Sequence, residues 1–152
     1  MYRMKEKIAL ACDHGGYALK EKTKAWLQEA GFEVEDFGCY SAQSVDYADF
    51  AFPAAEAVAK GQAQKGVLIC TTGIGVSICA NKVKGIRCAL CADSLTARLT
   101  REHNDANVLA MGAGVVGENL AKEILFTFLE TAFSGAPRHQ RRIDKISAYE
   151  TI

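Results

Sequence analysis

The chain reads as an α/β protein, a Rossmann-like, doubly wound, five-stranded parallel sheet with helices on both faces. Three observations predict this. Short apolar runs alternate with longer segments of helical periodicity, the pattern of consecutive βαβ units. The runs are almost continuously apolar, as strands buried on both faces require. No linker, repeat or low-complexity stretch divides the 152 residues, so one domain over 1–152 is expected. The expected strand order is the flavodoxin-like 2-1-3-4-5. In that order ligands bind in the crevice outside the carboxyl ends of strands 1 and 3.

The strands in order are "KIALAC" (7–12), "EVEDFG" (33–38), "GVLIC" (66–70), "IRCALC" (86–91) and "NVLAMG" (107–112). Between the first two, Leu19, Thr23, Trp26, Leu27 and Ala30 recur at helical spacing and Gly31 supplies a stop. Further helices fit 48–60, 75–82, 94–103 and 118–133. Pro53 is compatible with the second helix only within its first turn. A last helix over about 139–149 follows the breaker "SGAP".

Formal net charge is zero and no basic block is present, which argues against nucleic acid or an anionic membrane as partner. No apolar run reaches the length of a membrane span, and the N-terminal stretch lacks the hydrophobic region of a signal peptide. A cytoplasmic protein is expected, and its six cysteines are therefore expected to be free thiols. The pair in "CALC", Cys88 and Cys91, lies within a strand, where residues three apart face opposite sides. With no second pair at ligand spacing, these read as core cysteines and no metal is expected.

The polar loops at the ends of strands 1 and 3, "CDHGG" (12–16) and "CTTGIG" (70–75), converge on the crevice. Gly73 and Gly75 lack the third glycine of a dinucleotide fingerprint, because Ile78 holds its place, and there is no Walker lysine. The backbone N–H groups opening the next helix favour an anion or a developing oxyanion. Cys70 beside them reads either as a nucleophile or base or as a small buried hydrophobe. Cys12 reads as packing. Asp13 reads as an N-cap, whereas His14 faces the crevice with no core role. In "TREHNDAN" (100–107), His103, Asn104 and Asp105 form a polar helix end in which His103 could serve as acid or base. Arg138 and Arg142 share a helix face and form either a solvated surface or a phosphate clamp.

Taken together, "CDHGG", "SVDYADFA", "GVLICTTGIGVSICANKVKGIR", "TREHNDAN", "NVLAMG" and "RHQRR" resemble, in the same order, the ribose-5-phosphate isomerase B family, which includes galactose-6-phosphate isomerase subunits. The resemblance runs from about residue 7 to 148. It implies an aldose–ketose isomerase acting through an enediolate, with a sugar-phosphate substrate and no metal or organic cofactor. It also implies a homodimer or dimer of dimers whose active sites are shared between subunits, the C-terminal helix at the interface. By position Cys70 is the base, and Val76 stands where some relatives carry a catalytic carboxylate. Thr71, Thr72, Gly73, Ile74 and Gly75 would cradle the enediolate oxygens. His103, helped by Thr72, would open the sugar ring and Asn104 would hold a hydroxyl. Asp13, His14 and Tyr47 would line the substrate, and Arg138 and Arg142 would bind its phosphate.

The chain departs from the family's pattern at three places. Thr71 replaces a usual glycine, Gly114 a usual phosphate-side arginine, and Pro137 a usual glycine. His139 and Arg141 are the candidates to make good the lost cation. Ribose 5-phosphate and ribulose 5-phosphate are the expected pair. Allose or galactose 6-phosphate, a tetrose phosphate, or a silent sugar-phosphate-binding subunit are the alternatives.

Overall fold

A computed structural model describes residues 6–151. Five parallel strands form one sheet: β1 (Lys7–Cys12), β2 (Glu33–Asp36), β3 (Lys65–Cys70), β4 (Cys88–Leu90) and β5 (Val108–Gly112). Six helices connect and flank them: α1 (Tyr17–Glu29), α2 (Ala48–Ala59), α3 (Ile74–Asn81), α4 (Ser94–Asn104), α5 (Glu118–Glu130) and α6 (Pro137–Tyr149). The α/β class holds, but the strand order is β2-β1-β3-β5-β4, so the last two strands are exchanged relative to the expectation. The exchange follows from burial. β5 is buried at every residue and needs neighbours on both sides, whereas β4 is three residues long and ends on the exposed Leu90. The short strand takes the edge, where it exposes few unpaired backbone groups.

Two cores sit on opposite faces of the sheet. Ile8, Leu10, Val67, Ile69, Leu109 and Met111 point to the side covered by α1 and α5, where Phe128, Ile124 and Leu27 meet them. Ala9, Ala11, Leu68, Cys70, Val108 and Ala110 point to the other side, under the alanine-rich face of α2 and the buried residues of α3. This alternation also separates the "CALC" pair: Cys91 joins the first core and Cys88 the second. All six cysteines are free. Burial pushes the Cys88 thiol up to about 12, with Cys91 adding to the rise, as suits a packing residue. Burial likewise raises Cys12, which lies 3.8 Å from Cys39 sulfur to sulfur.

Pro53 falls in the second turn of α2, not the first. It sits on the exposed side of the helix, so the Asp49 carbonyl that loses its N–H partner there has water available. The last helix begins two residues earlier than expected, with Pro137 at its first position, where the missing N–H costs nothing. Among the described residues no helix is long and apolar enough to cross a membrane.

Among the described residues one charged side chain is completely buried. Lys20, on α1, has no solvent exposure and reaches Asp36 at the end of β2 at 2.8 Å and Glu21 at 2.7 Å. Burial works against its charge, but the bonds to Asp36 and Glu21 outweigh it and hold its pKa above the ordinary value. Burial also works against Asp36, yet the bonds from Lys20 and the Gly38 amide win and lower its pKa. The pair ties α1 to the β2 edge, and the Tyr17 and Tyr40 rings each lie 5.3 Å from the ammonium.

Lys20→Ala is expected to lower unfolding free energy by about 2 kcal/mol, because it removes the buried partner of Asp36 and leaves that carboxylate only the more exposed Lys24 at 3.3 Å and the Gly38 amide; denaturant titration measures it. For Asp36 the pKa is depressed, so its stabilisation is present above the unfolded value near 3.8 and is lost as pH falls through the lower folded value. Asp36→Asn should remove that acid-dependent loss, leaving a flatter stability profile below about pH 4 in acid titration.

Candidate active site

β1 and β3 are neighbours, and the loops that follow them, with Gly15 against Thr71, stand where a crevice is expected from the sequence. Asp13 caps a single 3-10 turn, His14–Gly16, by accepting from the Gly16 N–H at 3.2 Å, and that turn leads into α1. The Asp13 N–H donates back to the Ile69 carbonyl at 3.2 Å. On the other side, the Ala113 and Gly114 amides donate to the carbonyls of Cys70 and Thr71 at 2.9 and 2.8 Å. The loops after β1 and β5 are thereby stitched to the end of β3 by backbone bonds alone.

At that end Cys70 is 4% exposed, and its sulfur accepts the Gly73 N–H at 3.1 Å. Gly73 makes this possible by adopting φ of 78°, left-handed geometry that turns the chain into α3. The Thr72 hydroxyl accepts the Ile74 N–H at 3.2 Å, so one of α3's opening amides is already taken. Gly75 leaves the surface against which the Tyr47 ring packs; a Cβ there would overlap that ring. Tyr47 itself caps the start of α2 and is 41% exposed. The nearby Cys79 thiol is raised by burial and by the Cys70 sulfur, and Val76, at 1% exposure, points into the core. Cys70 thus sits at the carboxyl end of β3, directly against the amide that opens the turn into α3.

His14 is exposed, and its Nδ1 accepts the Val45 N–H at 3.1 Å. That bond leaves Nε2 as the proton-bearing nitrogen and anchors the loop preceding Tyr47. Sequence reading gave no role to Val45, because a backbone donor carries no side-chain signal.

The remaining predicted residues are not on this side. His103 and Asn104 end α4, and the chain enters β5 at Val108 a few residues later. The Asn104 carbonyl accepts from Arg87, which immediately precedes β4, and Asn107 donates to the Arg87 carbonyl. His103 and Asn104 therefore sit where strands begin, while Cys70 sits where β3 ends. The length of α4 alone, about 16 Å for eleven residues, spans the gap. Within one chain the candidate groups therefore stand at opposite ends of the strands, not together on one side of the sheet. The reason is directional: a helix following a parallel strand must return the chain to the opposite edge.

Arg138 and Arg142 belong to this second group. They lie exposed on α6, which packs on α4. His139 is not available to replace a missing cation: it is 6% exposed, its ring centroid lies 4.4 Å from that of His103, and its Nδ1 meets the Ser134 hydroxyl at 2.7 Å. Burial, then the charges of Arg138, His103 and Arg142, lower its pKa. The signal was present in the sequence, since His139, Ile143 and Ile146 recur at helical spacing and the first two are buried. A groove of about 670 Å³ on this side is lined by Arg87, Thr100, Asn104, Lys145 and Tyr149, among others. Among the described residues no group of three His, Cys, Asp or Glu is placed to hold a metal ion.

Comparison with known proteins follows this geometry. The putative sugar phosphate isomerase YwlF of Bacillus subtilis is 54% identical, the match covering 95% of this chain and 97% of that protein. Ribose-5-phosphate isomerase B of Escherichia coli is 48% identical over the same shares. The solved structure of ribose-5-phosphate isomerase B from Mycoplasma genitalium, with bound ribulose-5-phosphate, superimposes with a TM-score of 0.93 at 43% identity, covering 98% of this chain and 99% of that one. The ribose/galactose isomerase family model matches residues 8–146, and the chain belongs to that family.

Proposed function

We propose that the protein interconverts ribose 5-phosphate and ribulose 5-phosphate through an enediolate, at a site assembled from two copies of the chain. The observation that carries this reading is Cys70, held by the Gly73 amide at the head of α3, with the Tyr47 ring packed on Gly75 of the same turn and His14 bonded to the loop before Tyr47. The relatives' sugar-phosphate chemistry supplies the substrate class.

In the open-chain aldose, the Cys70 sulfur takes the proton from C2 and the C–H electrons move into the C1–C2 bond. The carbonyl electrons move onto O1. The enediolate's negative charge meets the free amides at the start of α3 and the positive end of the helix dipole. The sulfur then returns its proton to C1, the O2 proton passes to O1, and the ketose results. Asp13, His14 and Tyr47 line the sugar. Each general acid–base contribution is worth on the order of 100- to 10,000-fold.

Ring opening and phosphate binding fall to His103, Asn104, Arg138 and Arg142 of the second copy, since within one chain these lie at the far edge of the sheet. Support for assembly comes from the exposed apolar side chains near the crevice. Ile74 and Ile78 share a face of α3, and Leu90, Leu95 and Val115 are all at least 42% exposed. The α6 helix then lies at the subunit interface, and a homodimer is the smallest working unit.

Cys70→Ala should abolish ribulose 5-phosphate formation, followed by its absorbance, and His103→Asn should depress it strongly on the cyclic substrate. Because the two residues serve one site from different chains, refolding an equimolar mixture of these variants should recover about a quarter of wild-type activity in a symmetric dimer. A mixture as inactive as its components would mean that each site draws on one chain only.

A further inference from the structure

One hydroxyl in the turn between β3 and α3 makes no bond to the rest of the protein among the described residues. Cys70 and Thr72 turn their side chains to the amides of Gly73 and Ile74. The hydroxyl of Thr71, between them, has no such partner among the described residues, and the residue is exposed. Its position is confined. A Cβ on Gly15 would overlap the Thr71 hydroxyl, and a Cβ on Gly114 would stand 3.1 Å from its methyl group and 3.1 Å from its carbonyl oxygen. The Thr71 side chain thus fills the space between the turn after β1 and the loop after β5, and the glycines on either side leave room for it. Positions 71 and 114 share one space, which this chain fills with a branched hydroxyl at the first and leaves as bare backbone at the second.

We propose that Thr71 is the specificity-determining residue of this site: its hydroxyl bonds an oxygen of the sugar phosphate, and its methyl group limits the length of sugar that fits between the two loops. The proposal rests on the isomerase reading above and adds a preference for five-carbon over six-carbon sugar phosphates. The physical asymmetry behind it is general. A site built to bond a substrate hydroxyl loses heavily when that bond is removed, whereas added room for one carbon is worth about 10- to 200-fold. Val has the shape of Thr without its donor, so the two effects separate cleanly. No charge at position 114 competes for the same oxygen.

The test compares kcat/KM for ribose 5-phosphate and allose 6-phosphate in wild type, Thr71→Val, Thr71→Ser and Thr71→Gly, with calorimetric binding of both sugars and a melting curve for each variant. Thr71→Val should lower kcat/KM for ribose 5-phosphate by about tenfold or more, with Thr71→Ser restoring most of the loss. Thr71→Gly should raise the six-carbon to five-carbon ratio by about tenfold. A Thr71→Val protein as active as wild type, or an unchanged ratio in Thr71→Gly, overturns the proposal. If those variants behave as wild type while Cys70→Ala is dead, only this proposal fails. If wild type neither binds nor converts either sugar, the isomerase reading fails and this proposal with it.

Discussion

Chain direction in a parallel sheet is the constraint on which the site depends. Every strand of this protein ends at one edge, and every connecting helix carries the chain back to the other. Residues that follow a strand, such as Asp13, Thr71 and Gly114, are brought together without any long-range instruction. Residues that close a helix, such as His103 and Asn104, are equally sure to be elsewhere. The fold thus sorts the candidate residues into two half-sites before any side chain is chosen, and neither half contains both a base and a cation pair.

Within the first half-site the backbone is the working material. The loops after β1, β3 and β5 are joined by amide–carbonyl bonds, and glycines allow them to approach to contact distance. Such joints are rigid and cost little side-chain entropy, which suits a cradle for a charge that exists only transiently. The second half-site is built differently, from side chains stacked between two helices. There His139, buried and turned to Ser134, packs against the ring of His103 and fixes its surroundings.

Much of this was readable from sequence. The apolar runs of β1, β3 and β5, the cysteine at the end of β3 and the glycine turn after it all carry local signals that survive in three dimensions. The exchange of β4 and β5 was not readable, because periodicity describes the faces of a strand and is silent on its neighbours; only the brevity of β4 and its exposed Leu90 hint at an edge. That His103 and Cys70 stand at opposite ends of the strands was hard to read for a related reason. A helix-end loop and a strand-end loop look alike as polar, glycine- or asparagine-bearing stretches, and only the order of elements tells them apart. The buried Lys20 was invisible too, since its partner Asp36 lies on a different element and a lysine on α1 reads as surface.

On the proposed two-copy site, catalysis is tied to concentration. A lone protomer, fully folded with its cysteine loop and its α6 arginines both intact, would then have no complete site. Activity then follows the population of assembled pairs and declines on dilution by mass action, while secondary structure is retained. Selection on α6 would likewise be out of keeping with its address. On that proposal its exposed arginines do little for the chain that bears them, and their value is realised on a neighbour.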